Sequence, residues 1–209
     1  MGDDAELRTA WVTSVGSSAE SQAAFDEVVG WHRQPHRRYH TVRHVTWVVR
    51  HLHELAADEP VDDLDAVVAA AFFHDAVYDP AANDNEEQSA ALAGRMLAEL
   101  GWPAARVDVV TRHVMATERH EPTDDHDTNV LIDADLAVLG TEPAAYQAYL
   151  TGVRAEYGHV DDAAWGQGRG AVVRALLARQ PLYTTPTGRA RWEARARANL
   201  TAELAALAP

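Results

Sequence analysis

The sequence predicts an all-α protein, and three features predict it. Apolar residues recur at three- and four-residue spacing along nearly the whole chain, alanine is abundant, and no alternating β-branched run bounded by turn residues occurs. Helix-start signals punctuate this pattern. Ser17 stands three before Glu20 in "SSAE", Asp84 three before Glu87 in "DNEE", and Pro103 and Pro143 suit first turns. In chain order the signals place helices over about 4–15, 18–33, 41–57, 62–76, 85–100, 103–118, 128–139, 142–158, 161–179 and 187–207. The connections are short. The longest polar one, "ERHEPTDDHDTN", reads as either a plain surface loop or a lid over a site. "GQGRG" has no strand before it, so it reads as a helix that tolerates glycine for close packing rather than as a phosphate loop.

A chain of 209 residues can bury a sizeable core, and no shift in composition divides it, so residues 1–209 read as a single domain. The net charge of -14 argues against a nucleic-acid polymer or an anionic membrane surface as partner and favours a small ligand. All 18 basic residues are arginine, a permanently charged fork suited to phosphate or carboxylate, so anionic substrates stay open. With no cysteine there is neither a disulfide framework nor a thiolate site, and any metal must sit on His, Asp or Glu. "MGDDAELRTAW" lacks a basic region followed by an apolar run, and no long apolar segment follows, so a soluble cytoplasmic protein is expected. A homo-oligomer is compatible with all of this.

Why does the apolar stretch "AFFHDAVYD" place a histidine and an aspartate side by side? At about 100° per residue, His74 and Asp75 share the arc of Leu64, Val67, Val68 and Ala71. A lone inward histidine is ordinary. An inward carboxylate beside it is not, because burying an unpaired charge costs several kcal/mol, so a metal or an arginine partner is required. The same test turns His44 inward with Val45, Val48, Leu52 and Leu55, leaves His40 at the edge of that arc where it would line a pocket rim, and leaves His51 and His53 in solvent. In "VLIDADLAVLG" it turns Asp135 inward with Ile132, Leu136 and Leu139, whereas Asp133 falls outside and reads as a capping or hydrogen-bonding residue. Three separate helices thus each turn a metal-type ligand inward. Two imidazoles and two carboxylates leave positions on an octahedral ion for water or substrate, and this mixed set suits one divalent ion, Mn²⁺, Fe²⁺, Co²⁺, Ni²⁺ or Mg²⁺, better than a closed zinc site. The alternative is a buried His–Asp network without metal.

An isolated His, an adjacent His-Asp and a distal Asp, all on helices, resemble the HD-domain metal-dependent phosphohydrolase superfamily. "RYHTVRH", "FFHDAVYD", "DNEEQSA", "ATERH", "LIDADLAVLG", "YLTGVRAEYG" and "RARANL" look like the motifs of a bacterial group of predicted phosphohydrolases in it. The resemblance runs over most of the chain. It implies metal ligation by His44, His74, Asp75 and Asp135 and an α-helical bundle around the ion. Members holding two metals usually place two further histidines between the His-Asp pair and the distal Asp. Here "ATERH" offers His120, with His113 seven residues before it and expected on a similar face, and no histidine lies between Asp75 and His113, so a mononuclear site is favoured.

The activity this implies is hydrolysis of a phosphomonoester of a small phosphorylated metabolite, such as a nucleotide. Asp79 or Glu86 would orient water or protonate the leaving oxygen; Asp79 also reads as a turn residue before Pro80, and Glu86 as a favourable charge in a helix first turn. Arg43 is the expected phosphate clamp, with Arg38 and Arg154 behind it, and His40 and His120 are expected to contact substrate. Two further readings are an HD-type di-iron oxygenase, which needs a second ion, and a non-catalytic metal-binding sensor or interaction module.

Overall fold

The computed structural model describes residues 2–207. Among these there are ten α-helices and no strand: α1 (Asp3–Ser14), α2 (Ala19–Trp31), α3 (Val42–Ala56), α4 (Leu64–Phe73), α5 (Asn85–Glu99), α6 (Ala104–Ala116), α7 (His126–Asp135), α8 (Pro143–Glu156), α9 (Asp162–Ala178) and α10 (Pro186–Leu207), with a 3-10 helix at Leu136–Gly140. No helix is long and apolar enough to cross a membrane among the described residues.

The most apolar segment takes the centre. Every residue from Ala66 to Phe73 in α4 is fully buried, and α1, α3, α5, α6 and α7 pack around it. Asp63 starts α4 by accepting the Ala66 N–H at 3.1 Å, and the same carboxylate pairs with Arg106 of α6. Trp11, Phe25, Phe72 and Phe73 form an aromatic cluster between α1, α2 and α4, with Trp11 edge-on to Phe72 at 5.1 Å between centroids. Burying that much aromatic surface stabilises each ring by roughly 2–3 kcal/mol, which fixes α4 in its surroundings.

Several helix ends differ from the periodicity, each for a local reason. The cap of α2 is Ser18, whose side chain accepts the Ser21 N–H, and not Ser17. Asp84 begins α5 without any side-chain cap bond. The helix α4 stops at Phe73 rather than running to 76, because the Asp75 and Ala76 carbonyls are taken by Arg37 and the Val77 amide by Ser89. His74 is therefore the C-cap of α4, and Asp75 lies just beyond it rather than inside a helix. Helix α7 starts at His126 because Asp125 caps it, and it ends at Asp135, where the chain tightens into the 3-10 turn.

The C-terminal helices close one side. Gly140, in the 3-10 turn, lies against Trp192 of α10 so closely that a Cβ there would meet the Trp192 Cα at 2.9 Å. Asp133 accepts the Thr184 and Thr185 amides and the Thr185 hydroxyl at 2.7–3.0 Å, fixing the turn that leads into α10. His51, expected in solvent, is half-buried between Trp47 and Trp192 because α10 covers that face of α3.

Candidate metal centre

The first turn of α3, the end of α4 and the end of α7 meet at one point. The α3 face that buries Val48 and Leu52 also buries His44, and the α4 that ends at His74 brings Asp75 with it. His44 Nε2 lies 3.0 Å from His74 Nε2, 3.2 Å from Asp75 Oδ2 and 3.2 Å from Asp135 Oδ1. His74 Nε2 lies 3.1 Å from Asp75 Oδ2 and 3.6 Å from Asp135 Oδ1. Ligands at right angles around an ion about 2.1 Å away stand ~3.0 Å apart, so these spacings suit donors on a common ion. The tightest group, His44, His74 and Asp75, has its donor atoms within 4.8 Å of one another and could hold a metal ion. Asp135 lies outside that tightest group, with its Oδ1 3.2 Å from His44 Nε2 and 3.6 Å from His74 Nε2.

Hydrogen bonding fixes how the donors point. His74 Nδ1 donates to the Ala71 carbonyl at 2.8 Å, which leaves the Nε2 lone pair facing the cluster. A nitrogen lone pair opposite a carboxylate oxygen is repulsive unless positive charge sits between them. The protonation behaviour shows the same demand. Burial opposes charge on both imidazoles, yet Asp135 and Asp75 outweigh it, raising His44 and raising His74 well above the usual histidine range. Burial likewise opposes charge on the acids, but His74, His40 and His44 hold Asp75 well below its ordinary range, and His120, His44 and His74 do the same for Asp135. Such a set of donors could hold a cation.

A polar cavity of about 250 Å³ opens on this cluster, with Tyr39, His40, Tyr78, Glu86, His120 and Arg169 in its wall. His120 Nε2 is 2.6 Å from Asp135 Oδ2, and its backbone sits in the left-handed region at φ 51, a strained conformation for a residue with a Cβ. Arg179 helps to hold it there by donating to the His120 carbonyl. Burial first, then the charges of Asp75 and Glu118, push the Glu86 carboxyl upward against its own backbone hydrogen bond. A larger groove of about 590 Å³ runs between α8 and α10, past Leu150, Trp165, Ala202 and Leu207, and contains none of the clustered donors.

Two residues that periodicity does not single out organise the rim. Glu156, at the end of α8, has no exposed side-chain surface; its Oε1 accepts the amides of Arg38, Tyr39 and His40 at 2.7–3.0 Å, and its Oε2 meets His40 Nδ1 at 2.7 Å. Burial would raise this acid, but His40 and the backbone amides outweigh it and hold it down to about 2. With Nδ1 so engaged, His40 turns Nε2 toward the centre, 4.0 Å from Asp75 Oδ2. Gly152 permits this packing, since a Cβ there would stand 3.1 Å from the Tyr39 Cβ. Arg37 donates to the carbonyls of His40, Asp75 and Ala76 at 2.7–2.9 Å, tying the α3 approach to the metal-ligand turn. The run "HRQPHRRYH" marks it only as one of several basic residues.

Other expected site residues lie elsewhere. Asp79 is exposed, is absent from the cavity wall, and accepts the Ala81 N–H at 2.9 Å, which is the turn role and not the acid/base role. Arg43 is exposed and is likewise absent from the wall, because it sits one position off the buried face that carries His44. Arg38 donates to the Pro35 and Arg37 carbonyls, and Arg154 pairs with Asp162, so neither takes the clamp role either. His113 does not share the face of His120; it is buried against Thr128, with Nδ1 2.7 Å from Oγ1. "GQGRG" is helical within α9, which rules out a phosphate loop, and it delivers Arg169 to the cavity. No family model, no curated protein and no solved structure matches the chain.

Proposed function

We propose that the protein is a metal-dependent hydrolase of the HD type, acting on a phosphomonoester of a small phosphorylated metabolite. The observation that carries this reading is the convergence of two imidazole nitrogens and two carboxylate oxygens, with the lone pair of His74 Nε2 held toward the others by the Ala71 carbonyl. The set is of nitrogen and oxygen donors only, it is open to the cavity, and it fits one of Mn²⁺, Fe²⁺, Co²⁺, Ni²⁺ or Mg²⁺. A divalent ion held there supplies Lewis acidity toward a phosphoryl oxygen and lowers the pKa of water in its shell.

The chain's own residues have separable tasks in this reading. His44, His74, Asp75 and Asp135 bind and orient the ion. Glu86, half-buried in the cavity wall with its carboxyl pushed upward by burial, stands where a general acid for the leaving oxygen would act. His120, hydrogen-bonded to Asp135, and His40, fixed by Glu156, orient water and substrate at the rim. The di-iron reading is less well supported, because His113 is committed to Thr128 and leaves His120 as the one additional histidine on that side of the centre.

The test is metal analysis of the purified protein coupled to a panel of phosphomonoesters, with Mn²⁺, Co²⁺, Ni²⁺, Fe²⁺ and Mg²⁺ supplied singly. Close to one ion per chain and metal-dependent release of phosphate are expected. A protein that retains one ion yet hydrolyses no phosphoester contradicts the hydrolase and favours a sensor, whereas two irons per chain with oxygen uptake favour the oxygenase.

A further inference from the structure

Among the described residues one arginine lines the metal cavity, Arg169 of α9. Its side chain is 9 % exposed, and its Nε and Nη2 donate to Glu203 Oε1 and Oε2 at 2.6 and 3.2 Å, a carboxylate itself 5 % exposed. The Tyr146 hydroxyl also donates to Glu203, and the guanidinium carbon stands 5.3 Å from the centre of the Tyr149 ring. Side chains from α8, α9 and α10 therefore hold this guanidinium in one orientation.

A guanidinium has two edges that can grip an anion. Glu203 occupies the edge formed by Nε and Nη2 and the Tyr149 side chain lies against the guanidinium, while Nη1 donates to no carboxylate or carbonyl among the described residues and so keeps N–H donors for an anion. The charge around it calls for such a contact. Asp75, Glu86, Glu118 and Asp135 all line the cavity, and a phosphate dianion entering it is repelled unless permanent positive charge lies opposite. One divalent ion offsets part of this, and Arg169 is the fixed cation that remains.

We propose that Arg169 is the anion-binding residue of the site, gripping phosphoryl oxygens of the substrate through its Nη1 donors while Glu203 and Tyr146 position it. The proposal rests on the hydrolase reading above. It also places the substrate's charged group between the metal cluster and α9 rather than near Arg43.

The test is the binding of inorganic phosphate to the metal-loaded full-length chain by calorimetry, comparing wild type with Arg169→Met and Arg169→Lys. Because Arg169→Met leaves Glu203 buried without its partner, the double variant Arg169→Met/Glu203→Gln is included to remove both charges together. Phosphate affinity about ten- to a hundredfold weaker in both Met variants, with a smaller loss for Lys and unchanged metal content, supports the proposal. Equal phosphate affinity in wild type and the double variant overturns it. Wild-type protein that retains one ion but binds no phosphate overturns it too and leaves the metal centre standing, whereas absence of any retained ion counts against the hydrolase itself.

Discussion

His44 Nε2 and His74 Nε2 face each other at 3.0 Å across thirty positions of sequence. Two ring nitrogens so close, with Asp75 and Asp135 oxygens within 3.6 Å of them, converge as a set of donors that could hold a metal ion. Asp75→Ala removes a donor from the tightest group and is expected to abolish both metal retention and turnover. Asp133→Ala, whose carboxylate instead holds Thr184 and Thr185, should lower stability and keep the metal. Metal content after gel filtration checks both, and equal loss would place the distal acid wrongly.

Glu156 acts through His40. Glu156→Gln keeps the shape but weakens the grip on His40 Nδ1 and on three backbone amides. Turnover should fall about ten- to a hundredfold while metal content stays near one per chain. Unchanged kcat at unchanged metal content would show that the dyad only holds the loop.

Glu86→Gln should depress kcat with little change in metal content, whereas Asp79→Ala should leave kcat alone because Asp79 faces the turn at Ala81. Steady-state kinetics on the same phosphomonoester separates the two. A larger loss for Asp79 would reverse the assignment.

Burial pushes His32 down to about 3, where its Nε2 still donates to the Phe72 carbonyl at 2.9 Å. The unfolded chain takes up this proton below about pH 6.5 while the folded chain does not. His32 therefore contributes stability that is full above that pH and is lost as pH falls toward 3. His32→Gln, which keeps an amide donor for Phe72, should flatten the decline between about pH 6.5 and 5 in urea titrations. Identical slopes would remove His32 as the cause.

Gly140→Ala places a methyl group against the Trp192 backbone, where a Cβ would lie 2.9 Å from Cα. We expect a loss of about 1–3 kcal/mol and a Tm lower by several degrees. An unchanged melting curve would mean that α10 can shift away freely.

Much of the architecture was legible because its determinants are local. The apolar run through Ala66–Phe73 had to be buried, and the helical arcs turned His44 and Asp135 inward, while His74 and Asp75 reach the same interior from the cap and turn that end α4. What the arcs could not show is which distant element supplies the partner. Glu156 lies in a helix with a mostly exposed pattern, and its burial comes from amides at positions 38–40, more than a hundred residues earlier. Arg169 is hidden in the same way: inside "GQGRG" its position in the cavity depends on Glu203 and on α8 and α10, which lie far from it in sequence. Arg43 was misplaced because proximity in sequence to His44 stood in for proximity in space: neighbours on a helix diverge by about 100°.

The most direct test of the metal centre is anomalous diffraction from crystals grown with Mn²⁺ or Co²⁺. One peak is expected about 2.0–2.3 Å from His44 Nε2, His74 Nε2 and an oxygen each of Asp75 and Asp135. No peak at that point, or a peak elsewhere with these side chains still bonded to one another, would contradict the account.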